Sequence, residues 1–129
     1  MTTINFKREI SDTVDRAIER ATKALGAEGF GVLTRIDMHG KLKEKIGKDI
    51  IPTVILGACN PNLAYEAYTA NSDVASLLPC NAVIREIAPG RISVEFVKPT
   101  AMMQILGDAK LANLARQADE MIERALGNV

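Results

Sequence analysis

Two short stretches carry the residue types that could do chemistry. Leu56-Gly57-Ala58-Cys59-Asn60-Pro61 sets a thiol beside an amide where a strand is expected to end, and Leu78-Pro79-Cys80-Asn81 repeats the Cys-Asn pair. These are the only two cysteines. Should the two elements meet, four chemistries compete. Two small thiols can simply pack, with the asparagines serving as a helix cap and a turn. The asparagine amides can instead anchor a small ligand in an apolar pocket. Cys59, just ahead of a positive helix end, can have a lowered pKa and act as a nucleophile or redox thiol. Lastly, the two sulfurs can share a zinc ion with the distant His39, a shell left incomplete unless Asp37 or a second chain supplies more. The thiol reading lacks a Cys-x-x-Cys spacing and a neighbouring histidine base.

Whether they meet is a question of chain geometry. An unbroken helix over residues 61–78 would run roughly 27 Å and carry Cys80 away from Cys59. Asn71-Ser72-Asp73 is expected to break it and let the chain fold back. Asn60-Pro61 is the expected helix start, because asparagine caps and proline suits the first helical position. Leu63, Ala64, Ala67 and Tyr68 then share one helix face.

Residues 3–9 alternate as a half-buried strand, with Ile4, Phe6 and Arg8 on one side. Ser11 is expected to cap a helix with the stripe Val14, Ala17, Ile18, Ala21 and Leu25, stopped by Gly26. After Gly29 a strand places Phe30, Val32, Ile36 and Met38 on one face. His39-Gly40 turns into a short helix with Leu42 and Ile46 one turn apart, closed by Gly47. Thr53 to Ala58 is apolar on both faces, so helices should cover one side and a second copy of the chain the other. Two strands, Ala82–Ile87 and Arg91–Val97, flank a Pro89-Gly90 turn. Pro99-Thr100 opens a helical segment interrupted by Gly107. Asp108 caps a last helix whose stripe runs Leu111, Leu114, Ala115, Ala118, Met121, Ile122, Ala125 and Leu126. The expectation is one domain over residues 1–129, a two-layer α+β fold of order β-α-β4-α. Its sheet is mainly antiparallel, with two long helices and short helical insertions.

Composition narrows the function classes. At 47% apolar and 25% charged residues the chain is an ordinary globular one, and its formal net charge is zero. The one basic cluster, Lys41, Lys43, Lys45 and Lys48, is interrupted by Glu44 and reads as a solvated face. With aromatics at 4%, a nucleic-acid partner is not expected. No apolar run approaches the roughly 20 residues of a membrane span, and Met1-Thr2-Thr3-Ile4 does not open a secretory signal. A cytoplasmic location with reduced thiols is the expectation. His39 reads as an exposed turn residue, Met102-Met103 as core filler, and one of Tyr65 and Tyr68 as packed. Asp37 and Glu66 lie within reach of the site without forming a recognisable acid–base pair.

The blocks "GFGVLTRIDMHGKLKEKIG", "ILGACNPNLAYEAYTA" and "LLPCNAVIRE" resemble the signature segments of the domain of unknown function 302 family, over about residues 10–126. The resemblance implies a TBP-like fold and a homodimer. Some relatives are reported to carry haem, but no axial ligand can be placed here, and His39 lies outside the Cys-Asn blocks. Fold likeness to a DNA-binding protein does not carry its function. The expectation is therefore a small cytoplasmic homodimer that binds a small molecule. Its candidate ligand-binding residues are Gly57, Cys59, Asn60, Pro61, Cys80 and Asn81. The alternative is a thiol-dependent enzyme, or a redox or metal-binding protein, using Cys59 and Cys80. No catalytic residue, metal set or cofactor can be named from the sequence.

Overall fold

The computed structural model describes residues 3–129; Met1 and Thr2, where the reading of a signal begins, lie outside it. Five strands form one sheet: β1 (Asn5–Ser11), β2 (Gly31–Asp37), β3 (Thr53–Cys59), β4 (Cys80–Ala88) and β5 (Arg91–Val97). Their order across the sheet is β1-β5-β4-β3-β2, antiparallel throughout. The helices are α1 (Val14–Ala27), α2 (Met38–Ile46), α3 (Pro61–Ala70), α4 (Pro99–Met103) and α5 (Ala112–Gly127), with 3₁₀ turns at Ser72–Leu77 and Ala109–Leu111. This is the expected α+β architecture, with α1 and α5 as its long helices.

Register explains the two faces of the sheet. Leu56, Ala82, Phe96 and Phe6 form one cross-strand row, and Val54, Ile84, Val94 and Arg8 the next. Apart from Phe6 and Arg8 these side chains are almost wholly buried, and they pack against Ala17, Ile18, Leu25, Ile122 and Leu126 of the long helices. Arg8 ends its row by donating from Nη1 to the carbonyls of Leu126, Gly127 and Val129 at 2.8–3.3 Å. The last turn of α5 leaves carbonyls without helical partners, and a guanidinium supplies both donors and the charge sign they favour. The opposite face carries the row Lys7, Glu95, Val83, Ile55, Ile36. Glu95 is buried there, with Ser93 Oγ donating to Oε2 at 3.0 Å and Arg85 Nη2 3.4 Å from Oε1. Oε1 itself accepts no hydrogen bond.

Several sequence expectations shift. Thr13, not Ser11, caps α1, its hydroxyl accepting from Arg16 N at 3.2 Å, because Ser11 is held in β1 opposite Arg91. Gly26 does not stop α1; the left-handed residue is Gly29, at φ +83°. A bulge between Val32 and Thr34 breaks the alternation of β2. Val32 pairs with Ala58 on the helix side, whereas Ile36 pairs with Ile55 on the other, and Met38 already belongs to α2. His39 is half-buried rather than an exposed turn residue: its Nδ1 accepts from Thr53 N at 3.0 Å. Asp108 caps the 3₁₀ turn that leads into α5, not α5 itself.

Candidate functional site

The chain does double back after Pro61. Asn60 Oδ1 accepts from Leu63 N at 3.2 Å and Pro61 takes the first helical position of α3. Asn71 ends α3, and its side chain caps the following 3₁₀ turn by accepting from Asp73 N at 3.0 Å. The chain then enters β4 with Cys80 directly opposite Ala58. Both thiol elements therefore sit at one end of the β3–β4 pair, and both cysteines are free.

An apolar chamber of about 50 Å³ lies at that end. Ala58, Cys80 and Phe30 form its floor, Leu63, Ala64 and Ala67 of α3 one wall, and Leu114, Ala115 and Ala118 of α5 the other. Leu78, Pro99, Met103 and Leu111 close the remainder. Five of the lining residues are alanines, so facing elements meet through methyl groups and leave space between them.

Of the six candidate residues, Cys59, Asn60 and Cys80 line this chamber and Gly57, Pro61 and Asn81 do not. For Gly57 and Asn81 strand alternation is the reason. Gly57 pairs with Asn81 on the opposite face of the sheet, and Gly57 is covered there by Thr34 and Pro79. Asn81 and Pro61 are exposed. Asn60 is buried and already committed: besides capping α3, its Nδ2 donates to Glu28 O at 3.4 Å, tying the end of α1 to the start of α3. The amides thus do not present free anchors to the chamber. Tyr65 and Tyr68 are both exposed, against the expectation that one packs, and Glu66 is exposed beside them. Of the methionine pair, Met103 reaches the chamber.

Electrostatics bear on the thiol reading through Cys80. Burial, with smaller contributions from Cys59 and Asp119, pushes the Cys80 thiol up to about 11. At neutral pH it is a thiol, not a thiolate. His39 binds Thr53 at the far end of β3, roughly 20 Å from Cys59 at about 3.3 Å per strand residue. Asp37 pairs in register with Val54 at that same distant end and bonds Arg35. Among the described residues no three His, Cys, Asp or Glu side chains cluster to hold a metal ion. Also among them, no helix is long and apolar enough to cross a membrane.

Sequence reasoning did not single out Glu95, which is buried. It also missed the contribution of α5, whose alanines look like ordinary stripe positions.

The family model "Domain of unknown function DUF302" matches residues 6–129. Among solved structures, the chain is similar to "Crystal structure of uncharacterized conserved protein DUF302 from Bacillus stearothermophilus". The two are 29% identical, 98% of each chain is covered and the TM-score is 0.90. No curated protein matches. A match that runs from β1 through α5 shows that the chain belongs to the DUF302 family.

Proposed function

We propose that this protein is a small-ligand-binding protein whose chamber between β3–β4, α3 and α5 accepts an apolar group. One observation carries the reading: a space lined by alanines, leucines and methionine, with its one asparagine engaged elsewhere. Such a space stays dry and gains by taking in apolar atoms. Its volume admits about four heavy atoms, given roughly 10–15 Å³ for each water-sized occupant. The thiol-enzyme alternative is the weaker one, because His39 is held by Thr53 at the other end of the sheet and cannot serve Cys59 as a base. Xenon is the test, being apolar and of the right size. Under xenon pressure the methyl resonances of Ala115, Ala118 and Leu63 should shift and saturate, and Ala64→Leu, a half-buried change that fills the space, should abolish the response. Unmoved methyls in a folded wild-type protein would remove the chamber from consideration.

The homodimer is part of the same proposal and rests on the other face of the sheet. There the row Val83, Ile55, Ile36 is apolar, Ile36 is 42% exposed, and the neighbouring Glu95 Oε1 accepts no hydrogen bond although Arg85 stands 3.4 Å away. A second copy meeting this face would bury the row against its own equivalent. Sedimentation should give a dimer for the wild type and a folded monomer for Val83→Lys. A monomeric wild type at micromolar concentration would end the dimer reading without touching the chamber.

A further inference from the structure

Beside the chamber lies a second, larger cleft of about 350 Å³, built from Thr100, Gln104, Asp108, Ala112 and Arg116. Met103 and Ala115 line both spaces, so one methionine side chain and one methyl group form the partition. Methionine is unbranched and turns easily, which makes it a movable wall. The chamber alone is far below the roughly 300–1,000 Å³ of ordinary ligand pockets, whereas the cleft falls within that range.

The polar groups of the cleft are unevenly committed. Thr100 donates from N and Oγ1 to Asp119 at 2.9 and 2.7 Å. Asp108 accepts from Asn71 Nδ2 and Lys110 N, and Lys110 Nζ stands 3.9 Å away, so its charge is already answered. The Lys110 N–H foremost, and then the Asn71 amide, holds the Asp108 carboxyl below its usual range and keeps it an anion. Arg116 differs. Its Nη2 donates to Asn113 Oδ1 at 2.8 Å, and among the described residues it forms no ion pair. A guanidinium has five N–H donors, so most remain for a ligand.

Building on the chamber reading above, we infer that the ligand is a short-chain amphiphile with an anionic head, an aliphatic carboxylate of about four to six carbons. The tail passes Met103 into the alanine-walled chamber, and the head remains in the cleft on Arg116, with the Gln104 amide as a second donor. No bond is made or broken; this is binding alone.

The test titrates hexanoate, hexan-1-ol and acetate into the intact protein at low ionic strength, followed by NMR. Hexanoate should move both the chamber methyls and the Arg116 side-chain resonances. Arg116→Gln, an exposed change that leaves the fold intact, should weaken hexanoate about tenfold and leave hexan-1-ol unaffected. Acetate, lacking a tail, should bind much more weakly than hexanoate. Equal binding of hexanoate and hexan-1-ol, or no effect of Arg116→Gln, would overturn the anionic head. Shifts at Arg116 with silent chamber methyls would reduce the contact to a surface ion pair and overturn the inference too. If xenon moves the chamber methyls while hexanoate does not, the apolar chamber stands and the inference fails; if neither does, both fail.

Discussion

Gly57→Ala should cost about 3 kcal/mol of stability, read as a lower denaturant midpoint at unchanged slope. Gly57 does not need glycine for its backbone angles, since it is not among the residues of positive φ. It needs the space. A Cβ built there lies 2.6 Å from Pro79 Cγ and closer still to Thr34 Oγ1. The threonine can rotate its hydroxyl away about one bond, but the proline ring can yield only by moving its loop. That loop leads from Leu78 to Cys80, both of which line the chamber, so the clash would propagate into the candidate site. Gly57→Ala should cost less than half as much on a Pro79→Ala background as in the wild type, a coupling that residues in contact show and distant ones do not. A cost below about 0.5 kcal/mol, the range of a neutral surface change, would mean that Pro79 is not seated on the sheet as described.

This glycine marks the limit of what sequence can show. Its neighbours in the chain revealed a strand that is apolar on both sides, and β3 is that strand. They did not reveal that Pro79, on another element, occupies the room where its side chain would be. The same division holds elsewhere. Ile92, Val94 and Phe96 alternate in the sequence and are all buried, because period two is a local property. Asn60-Pro61 and Asn71 punctuate α3 as expected, because capping is decided within three residues. The bulge in β2 was not legible, since it is defined by the partner strand rather than by β2 itself. That Thr13 rather than Ser11 caps α1 was likewise decided by pairing with β5. At the site, two Cys-Asn elements marked the right end of the sheet. Their side chains split between its faces, since adjacent strand residues point opposite ways, and only half of the six candidates share the chamber. The empty volume belongs to no single element: alanines that read as helix stripe leave a gap only because other alanines face them.

The reactivity of Cys80 tests the chamber most sharply. With its pKa raised from 9.0 to about 11, the folded protein holds about a hundredfold less thiolate at neutral pH than an ordinary cysteine would. Alkylation of Cys80 should slow by about that factor and reach the normal rate only on unfolding, mass spectrometry of tryptic fragments distinguishing it from Cys59. The same shift has a stability consequence of definite sign. Below pH 9 both folded and unfolded forms keep the proton, so the group contributes fully. Between about pH 9 and 11 the unfolded thiol ionises while the folded one cannot, and stability falls by on the order of 2–3 kcal/mol. Other groups titrate in this window, so the measurement is the difference between wild type and Cys80→Ala, which should lack that part of the alkaline slope. Fast labelling of native Cys80, or identical alkaline slopes for the two proteins, would mean that water reaches the sulfur freely. A chamber open to water gains little by taking in apolar atoms, so this outcome would also undercut the proposed ligand class.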